Sequence, residues 1–158
     1  MLTGKRFEEL RVADVHDSIS KRPPTVQKSA TVGDAIDAML TNPLSRKVYV
    51  IDVEGNLVGV VTSETVLKLV GYRVGVRENS ARAFLGLLRD TLKEGVEQVM
   101  QKAKAVKESS PLKEALYLML ENRLTDVPVV DDDHKLMGEL ISLELFEAVK
   151  DLFPRSEA

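Results

Sequence analysis

Residues 25–63 of this chain read TVQKSATVGDAIDAMLTNPLSRKVYVIDVEGNLVGVVTS, and residues 105–142 repeat the pattern as AVKESSPLKEALYLMLENRLTDVPVVDDDHKLMGELIS. Identical residues recur in the same order along both segments, with a single one-residue gap, and Gly59 with Gly138 is one such pair. Ordered matches of this kind indicate an internal duplication. A duplication constrains the architecture before any helix or strand is assigned.

Each copy predicts the same five elements. A short strand around Val26 or Val106 leads into a helix whose apolar residues recur at three- and four-residue spacing. The first of these helices has a capping-box pattern that begins at Thr31. The second has Ser110 as its capping residue, followed by Pro111, which is favoured in the first helical position. Two runs of β-branched residues around a polar turn then predict a pair of strands, and a second helix closes the copy.

The segment between the copies has a different character. The closing helices are predicted over residues 63–69 and 142–152, and the glycine-punctuated residues 71–76 are predicted as a loop. Residues 80–94 predict an amphipathic helix. We interpret this helix as a connector that packs on its own domain, with a lid or a dimer contact as the alternatives.

The predicted fold class is α+β (α/β-type), with two pseudo-symmetric β-α-β-β-α repeats and an inter-repeat helix. A short upstream piece also recurs, at residues 12–15 and 96–99. The predicted domains are an N-terminal helix and lead-in at 1–24, the first repeat at 25–71, a linker loop and helix at 72–95, the second repeat at 96–153, and a tail at 154–158.

The composition excludes several classes of protein. The chain has 158 residues and no cysteine, which removes disulfides, thiolate metal ligands and cysteine nucleophiles. Its 22 Lys and Arg residues against 25 Asp and Glu residues leave no basic footprint, which argues against a nucleic-acid partner. No uncharged stretch approaches the roughly 18 apolar residues of a membrane span, and the N-terminal MLTGKRFEEL lacks the apolar run of a secretory signal. We therefore expect a cytoplasmic protein with no membrane partner.

The residue patterns of a catalytic centre are also missing from the sequence. We find neither a nucleophile–base pair, nor a metal-ligand set, nor a phosphate-cradling GxxxxGK[ST] loop, so we predict no catalytic residues and no enzyme activity. Residues 131–134, DDDH, have a metal site as one interpretation. They align with the hairpin turn of the first copy, where polar residues are expected, and we therefore predict a turn and no metal site.

The doubled pattern has a recognisable form. A Thr-Val pair precedes the first helix, VPVVD occupies residues 127–131, and a glycine followed by hydrophobic positions and Thr or Ser leads into each closing helix. Over about residues 12–152 this pattern resembles the CBS (cystathionine-β-synthase) domain family, and the two repeats resemble a CBS pair, or Bateman module. The resemblance implies a pseudo-two-fold pair that dimerises, and clefts between the repeats that bind AMP, ADP, ATP or S-adenosylmethionine. Since no catalytic domain is attached, it implies a stand-alone sensor that modulates an unidentified partner protein.

The family's nucleotide signature is Gly-h-h-Thr/Ser-x-x-Asp/Asn, in which h is hydrophobic. In the family the carboxylate accepts hydrogen bonds from the ribose diol, and the hydroxyl at the helix start helps to hold the ribose or a phosphate. The first repeat keeps the hydroxyl at Thr62 but has Thr65 in place of the acid. The second repeat has Glu144 in the acid's place, and Ile141 replaces the hydroxyl residue. Neither copy is complete.

The residues ahead of the second strand differ between the repeats. Basic side chains there contact phosphates in the family. The first repeat has Arg46 and Lys47, whereas the second has Thr125 and Asp126, and an acid there repels a phosphate. The resemblance therefore implies one adenosine-type ligand in the cleft of the second repeat, with its ribose on Glu144 and its phosphates on Arg46 or Lys47.

Adenine is expected between aliphatic side chains, because the chain has no tryptophan; Val106, Val127 and Pro128 are the candidates. Tyr49 replaces the family's proline in the first repeat, and it either fills the first cleft or belongs to the core. The predicted ligand-binding residues are Thr25, Val26, Arg46, Lys47, Val48, Thr62, Thr65, Ala105, Val106, Thr125, Asp126, Val127, Pro128, Ser142 and Glu144.

Structural roles are the alternative for several of these residues. Helix capping accounts for Thr62, Ser142 and Glu144, and Arg46 and Lys47 have the alternative of solvated positions ahead of a strand. The alternative function for the whole chain is a non-sensing CBS scaffold with degenerate pockets, which serves dimerisation or docks another protein. We predict a homodimer, and no cofactor other than the adenine nucleotide or S-adenosylmethionine ligand.

Overall fold

The structure, a computed structural model, describes residues 4–16, 23–43, 45–75 and 80–153. These residues form two compact units. One lies within Pro23–Ala103 and contains the first repeat, and we refer to it as the first-repeat unit. The other, the second-repeat unit, combines residues of Met1–Arg22 with residues of Lys104–Ala158 and contains the second repeat.

The first-repeat unit is built on a three-stranded sheet. Its strands are β1 (Thr25–Gln27), β2 (Lys47–Ile51) and β3 (Leu57–Thr62). Its helices are α1 (Val32–Leu40), α2 (Ser63–Gly75), α3 (Ala81–Leu92) and α4 (Val96–Val99). β1 is parallel to β2, and β3 is antiparallel to it. Val48, Val50 and Val61 on one sheet face form the core with Ala35 and Met39 of α1.

The second-repeat unit has the same topology. Its strands are β4 (Val106–Lys107), β5 (Asp126–Val130) and β6 (Leu136–Ile141), and its helices are α5 (Leu112–Asn122) and α6 (Ser142–Leu152). β4 is parallel to β5, and β6 is antiparallel to it. Val127, Val129 and Leu140 form a core with Leu112 and Ala148. The predicted α+β class, with two β-α-β-β-α repeats and an inter-repeat helix, is confirmed. Within the described residues, no helix has both the length and the apolar character that crossing a bilayer requires.

α1 begins as its sequence predicts, and α5 does not. The Asp34 N–H donates to Thr31 Oγ1 (3.1 Å) and the Thr31 N–H donates to Asp34 Oδ2 (3.0 Å), which is a reciprocal capping box. At α5, Pro111 is the N-cap residue, and Ser110 Oγ accepts a hydrogen bond from the Lys107 N–H (3.0 Å). The prediction that Ser110 caps α5 is therefore wrong, because its hydroxyl closes the turn that follows β4.

The Asp34 carboxylate makes the stability of α1 depend on pH. Hydrogen bonds from Thr31 hold the pKa of Asp34 below its ordinary value. A carboxyl with a lowered folded-state pKa stabilises the fold above its unfolded pKa, about 3.9, and this contribution is lost as the pH falls through the folded value. We expect Asp34→Asn to lower the melting temperature near neutral pH and to flatten its decrease below about pH 4.

Thermal melts by circular dichroism across this pH range measure the effect. Asp37→Asn is the matched control, since Asp37 is an exposed carboxylate on the same helix. It should keep the pH slope of the wild type. Identical slopes for Asp34→Asn and the wild type would contradict the assignment.

Each hairpin turn is held by an aspartate at the same position of its repeat. Asp52 Oδ1 accepts hydrogen bonds from the backbone N–H groups two and four residues later, both at 2.9 Å. Asp131 Oδ1 does the same at the same distances. The interpretation of residues 131–134 as a turn is therefore confirmed.

α2 continues beyond its predicted end. The glycines at 71–76 predict a loop, but the helix extends to Gly75, and Val76 lies outside the described residues. The Arg73 guanidinium donates to Thr91 Oγ1 on α3 (2.8 Å). A glycine inside a helix costs about 1 kcal/mol relative to alanine, and the packing of α2 against α3 offsets this cost. The loop prediction is wrong for 71–75, because local propensity does not include contacts with a later helix. α3 packs against α1 and α2 of its own unit, as the connector interpretation predicts.

The residues upstream of the first repeat belong to the second-repeat unit. Where the sequence predicts an N-terminal helix within 1–24, the described part has two 3-10 turns, Phe7–Glu9 and Val12–Asp14. The Val12 N–H donates to the Ser110 carbonyl (2.9 Å), and the Leu112 N–H donates to the Leu10 carbonyl (2.8 Å). These bonds attach the segment to the start of α5.

The residues upstream of the second repeat dock on the first-repeat unit in the same way. The Val96 N–H donates to the Ala30 carbonyl (2.9 Å), and the Val32 N–H donates to the Glu94 carbonyl (2.8 Å). In the second-repeat unit, the residues at the equivalent positions form the same two hydrogen bonds. The sequence match between residues 12–15 and 96–99 thus corresponds to a shared docking mode.

Each docked segment places a side chain over a glycine of the sheet. A Cβ built at Gly138 lies 2.6 Å from His16 Nε2, and a Cβ built at Gly59 lies 2.6 Å from Met100 Sδ. Neither glycine has a positive φ. Both are the first residue of the Gly-h-h signature, and the structure needs glycine there for space rather than for backbone freedom.

Candidate ligand-binding site

Five predicted ligand residues of the first-repeat unit meet at one end of its sheet. β1 and β2 begin at this end and β3 ends there, so Thr25, Lys47 and Thr62 lie on neighbouring strands. Arg46 directly precedes Lys47, and Thr65 lies in the first turn of α2. The strand order brings together residues that are up to forty positions apart in the sequence.

Thr62 and Thr65 form a hydroxyl pair at the start of α2. The Thr65 N–H donates to Thr62 Oγ1 (3.0 Å), and the two hydroxyl oxygens lie 2.8 Å apart. Both residues are half-buried. The capping interpretation of Thr62 is confirmed. Thr65 occupies the position that is an acid in the signature, and its neutral hydroxyl is already hydrogen-bonded to Thr62. It therefore brings no charge to the site.

Arg46 combines an exposed side chain with a left-handed backbone. Its φ is 54°, a conformation that costs a non-glycine residue roughly 1–2 kcal/mol. Its carbonyl accepts a hydrogen bond from the Ser63 N–H (3.0 Å), which ties the residue to the beginning of α2. Arg46 therefore lies beside a helix N-terminus, where the helix dipole and its own charge both favour an anion.

Lys47 is buried, although it is adjacent to the exposed Arg46. It is 9 % exposed, and its Nζ lies 5.8 Å from the ring centroid of Tyr49, which is 1 % exposed. This is a cation–π contact. The interpretation of Lys47 as a solvated residue is wrong, because its charge lies against an aromatic ring. For Arg46 the exposed position is confirmed.

The second-repeat unit has acids at the equivalent end of its sheet. Asp126 begins β5 and pairs in register with Ile141, the last residue of β6. Glu144, in the first turn of α6, is fully buried, and the Ile141 N–H donates to its Oε1 (3.4 Å), as the capping interpretation predicts. The Thr125 carbonyl accepts a hydrogen bond from the Ser142 N–H (2.7 Å), as in the first repeat. The equivalent sheet ends therefore differ, with basic residues in the first-repeat unit and acidic residues in the second-repeat unit.

The sequence profile of the CBS domain family matches residues 12–72 and 96–151. The chain belongs to the CBS domain family. Its two repeats form a tandem CBS pair, which the sequence resemblance implies and the paired β-α-β-β-α units agree with.

Solved CBS structures share this fold. A CBS domain-containing protein from Thermotoga maritima is 28 % identical, with a TM-score of 0.72, over 93 % of this chain and 98 % of that chain. The structure of CBSX2 in complex with AMP is 26 % identical, with a TM-score of 0.63, over 89 % and 96 %. The CBS domain pair of protein MJ0100, in complex with 5′-methylthioadenosine and S-adenosylmethionine, is 21 % identical, with a TM-score of 0.64, over 90 % and 97 %.

Two curated relatives from Methanocaldococcus jannaschii match the same repeats. Inosine-5′-monophosphate dehydrogenase is 31 % identical over 85 % of this chain, and protein MJ1225 is 24 % identical over 87 %. The CBS pair spans 21 % of the dehydrogenase and 49 % of MJ1225. The likeness therefore concerns only part of each relative.

The apolar residues among the predicted ligand-binding residues are mostly buried in this CBS pair. Three of the predicted side chains lie in the hydrophobic cores, namely Val48, Val106 and Val127. Pro128 is buried, while Val26 and Ala105 are half-buried. A ligand contact with the three core valines would involve their main chain. The prediction that one ligand contacts residues of both repeats stays a prediction.

Sequence reasoning missed a buried acid and a cavity. Glu139 is only 6 % exposed. It occupies a position that is hydrophobic in the CBS signature, and this departure was the signal in the sequence that could have identified it. A cavity of about 330 Å³ in the first-repeat unit lies at the end of β1 and β2 opposite to Thr25 and Lys47. It is lined by Gln27, Lys28, Ser29, Asp52, Val53 and Glu97. These residues come from three separate segments, so no local pattern indicates the cavity.

Proposed function

We propose that this CBS pair is a regulatory sensor, which binds an adenosine-containing nucleotide of the AMP, ADP, ATP or S-adenosylmethionine type and modulates a partner protein. The observation that carries the proposal is the grouping of Arg46 with the Thr62 and Thr65 hydroxyls at one sheet end. Support also comes from the neighbouring structures, since the CBSX2 structure contains AMP and the MJ0100 pair contains two adenosine-based ligands.

Arg46 is the residue that we propose for phosphate contact. Its side chain is exposed, and its carbonyl is bonded to the first residue of α2. A phosphate bound there also lies at the positive end of the α2 helix dipole, which favours an anion.

Two groups are candidates for the ribose. Glu144 offers a carboxylate, which forms the stronger charge-assisted hydrogen bonds to a diol. The Thr62 and Thr65 pair offers neutral hydroxyls in the same unit as Arg46. Glu144→Gln and Thr65→Val, each titrated with AMP, separate the two, because only the variant at the ribose contact loses affinity. The same proposal includes an adenine contact with Pro128. It also includes ligand contacts with Thr25, Thr125, Asp126 and Ser142.

Arg46→Gly tests the phosphate contact without disturbing the fold. Glycine adopts a φ of 54° at no steric cost, so the variant should be as stable as the wild type or more so. A hydrogen bond to a charged group contributes about 1.5–3 kcal/mol, so we expect AMP, ADP and ATP to bind at least about 10-fold more weakly. S-adenosylmethionine has no phosphate and should bind equally well. Isothermal titration calorimetry measures each affinity.

Arg123→Gly is the matched control. Arg123 is also exposed and has a φ of 53°, but it caps the C-terminus of α5 and is not a predicted ligand residue. Its replacement by glycine should relieve the same strain and leave nucleotide affinity unchanged. Equal affinities for Arg46→Gly and the wild type would contradict the phosphate assignment.

A thermal-melt panel tests the sensor proposal as a whole. It contains AMP, ADP, ATP, S-adenosylmethionine, NAD and cyclic di-AMP. A ligand at 100 times its dissociation constant stabilises the folded state by about 2.7 kcal/mol, which is a readily measured shift. The absence of a shift with every compound would favour the alternative, a non-sensing CBS scaffold for dimerisation or protein docking. The departures from the signature at Thr65 and Ile141 are the observation that favours this alternative.

The remaining parts of the proposal concern partners and location. We propose that the CBS pair forms a homodimer in the cytoplasm, has no resident cofactor, catalyses no reaction itself, and acts without nucleic acid or membrane. The nucleotide panel tests none of these points. Sedimentation equilibrium of the wild-type chain tests the homodimer, and a monomer at all concentrations would contradict it.

A further inference from the structure

The cavity in the first-repeat unit is bounded by three segments of that unit. These are the residues that follow β1, the turn between β2 and β3, and α4. Its volume of about 330 Å³ lies near the lower end of the range for small-molecule sites, roughly 300–1,000 Å³. Five of its six lining residues are polar or charged. A cavity with this size and lining suits a small polar molecule.

The cavity is lined by an ammonium group and two carboxylates, and two of these three groups form an ion pair. Lys28 Nζ lies 3.2 Å from Glu97 Oε1, and the two side chains are 53 % and 49 % exposed. An ion pair between side chains this exposed contributes little to stability. A ligand that offers the same two charges therefore replaces the pair at little cost.

Asp52 supplies the second carboxylate, which is fixed in position. Its Oδ1 accepts hydrogen bonds from the N–H groups of Glu54 and Asn56, both at 2.9 Å, and its Oδ2 accepts one from Asn56 Nδ2 (3.1 Å). Hydrogen bonds from Asn56 and Glu54, with a smaller contribution from the charge of Lys28, hold the pKa of Asp52 below its ordinary value. The carboxylate is therefore ionised at neutral pH and oriented before a ligand arrives.

The second repeat shows that the fold does not require the Lys28–Glu97 pair. The residues at the equivalent positions are Glu108 and Ala13, so neither partner of the pair is conserved between the repeats. The upstream segments nevertheless dock with the same two backbone hydrogen bonds in both units. Docking does not depend on Lys28 and Glu97, so their presence at the cavity calls for another explanation.

We infer that this cavity is a second small-molecule site, which binds a zwitterion with an ammonium and a carboxylate group, such as a free α-amino acid. The ligand carboxylate binds Lys28, and the ligand ammonium group binds Asp52 and Glu97. A simple anion would meet two carboxylates and a simple amine would meet the charge of Lys28, whereas a zwitterion complements both signs.

This site is separate from the candidate nucleotide site. β2 begins beside Arg46 and ends at the cavity, and its five residues span about 13 Å at about 3.3 Å per residue. The inference therefore does not rest on the proposed nucleotide binding.

A titration with the twenty standard L-amino acids, followed by ¹H–¹⁵N correlation NMR of the labelled chain, tests the site. We expect at least one amino acid to bind at millimolar or lower concentration and to shift the amide signals of Ser29, Val53 and Glu97. The matching amine without the carboxylate, and the matching acid without the ammonium group, should each bind at least about 10-fold more weakly, because each loses a charge-assisted hydrogen bond.

Two variants carry the residues that the second repeat has at the equivalent positions, namely Lys28→Glu and Glu97→Ala. Both should fold, which thermal melts verify, and each should weaken amino-acid binding at least about 10-fold. Glu64→Ala is the matched control. Glu64 forms an exposed ion pair with Lys68 (2.6 Å) in the same unit but does not line the cavity, so this variant should bind the amino acid as the wild type does.

The outcomes that overturn the inference are distinct from those that confirm it. Unchanged spectra with every amino acid would overturn it, and so would shifts confined to residues outside the cavity. If the amine alone or Mg²⁺ shifts the same signals with equal affinity, the cavity is a cation site, and the zwitterion assignment is wrong. Equal affinities for the wild type, Lys28→Glu and Glu97→Ala would also contradict it. None of these results bears on the sensor proposal, which the nucleotide panel tests separately.

Discussion

We expect Gly138→Ala to destabilise the chain by about 1–3 kcal/mol, the range for overpacking a tightly filled site. The added Cβ would lie 2.6 Å from Nε2 and 3.0 Å from Cε1 of His16. His16 is 5 % exposed, and its Nδ1 lies 3.6 Å from Glu108 Oε1, so the rigid ring has little room to move. Relief requires the segment around Val12 to shift away from the start of α5. Urea denaturation measures the loss.

Two further variants make this prediction specific. Gly59→Ala meets Met100 Sδ at the same 2.6 Å, but the end of a methionine side chain is flexible, so a smaller loss is expected. The double variant with His16→Ala and Gly138→Ala removes the clash, and it should be more stable than the sum of the two single effects predicts. Strict additivity in this cycle would show that the ring and the glycine do not interact.

The second large effect is expected for Leu112→Ala, which should destabilise the chain by about 2–5 kcal/mol. Leu112 is fully buried in the core of the second-repeat unit, and its N–H donates to the Leu10 carbonyl (2.8 Å). Truncation leaves a cavity beneath the docked upstream segment, while the backbone hydrogen bond remains. The free energy of unfolding from urea titration is the measurement.

Leu40→Ala is the control for this prediction. Leu40 is also a helix leucine but is 65 % exposed, so its truncation should change the free energy of unfolding by less than about 0.5 kcal/mol. A loss below about 1 kcal/mol for Leu112→Ala would mean that the core collapses around the missing atoms, and would contradict the expected cavity.

The glycine prediction also bears on how CBS signatures are interpreted. The glycine that begins the signature is treated at the sequence level as part of a nucleotide motif. In this pair, Gly59 and Gly138 make space for Met100 and His16. Substitutions at the acid and hydroxyl positions of the signature therefore test ligand binding. Substitutions at the glycine test the docking of the upstream segments.

Several elements with local signals are confirmed, although the predicted cap of α5 at Ser110 is wrong. The capping box at Thr31 and the turns at Asp52 and Asp131 are confirmed, because each depends on residues within four positions of one another. The end of α2 was predicted wrongly. Gly71 and Gly75 lower local helix propensity, but the contact of Arg73 with Thr91 lies eighteen residues away in the sequence.

For the candidate site, the sequence supplied the residue types and the structure supplied their environments. The signature located Thr62, Thr65 and Glu144, and the basic pair at 46–47 followed from the comparison of the repeats. The sequence did not distinguish Arg46 from its neighbour. In the structure Arg46 is exposed with a left-handed backbone, whereas Lys47 lies against the ring of Tyr49.

The sequence by itself determined that this protein consists of two copies of one β-α-β-β-α unit, because two segments with the same apolar spacing must bury the same faces in the same order. Only the tertiary structure decided which upstream segment docks on which unit, why Gly59 and Gly138 have no side chain, and which basic residue reaches solvent. These features depend on burial and close contact between residues that are far apart in the chain, and local spacing contains no information about such contacts.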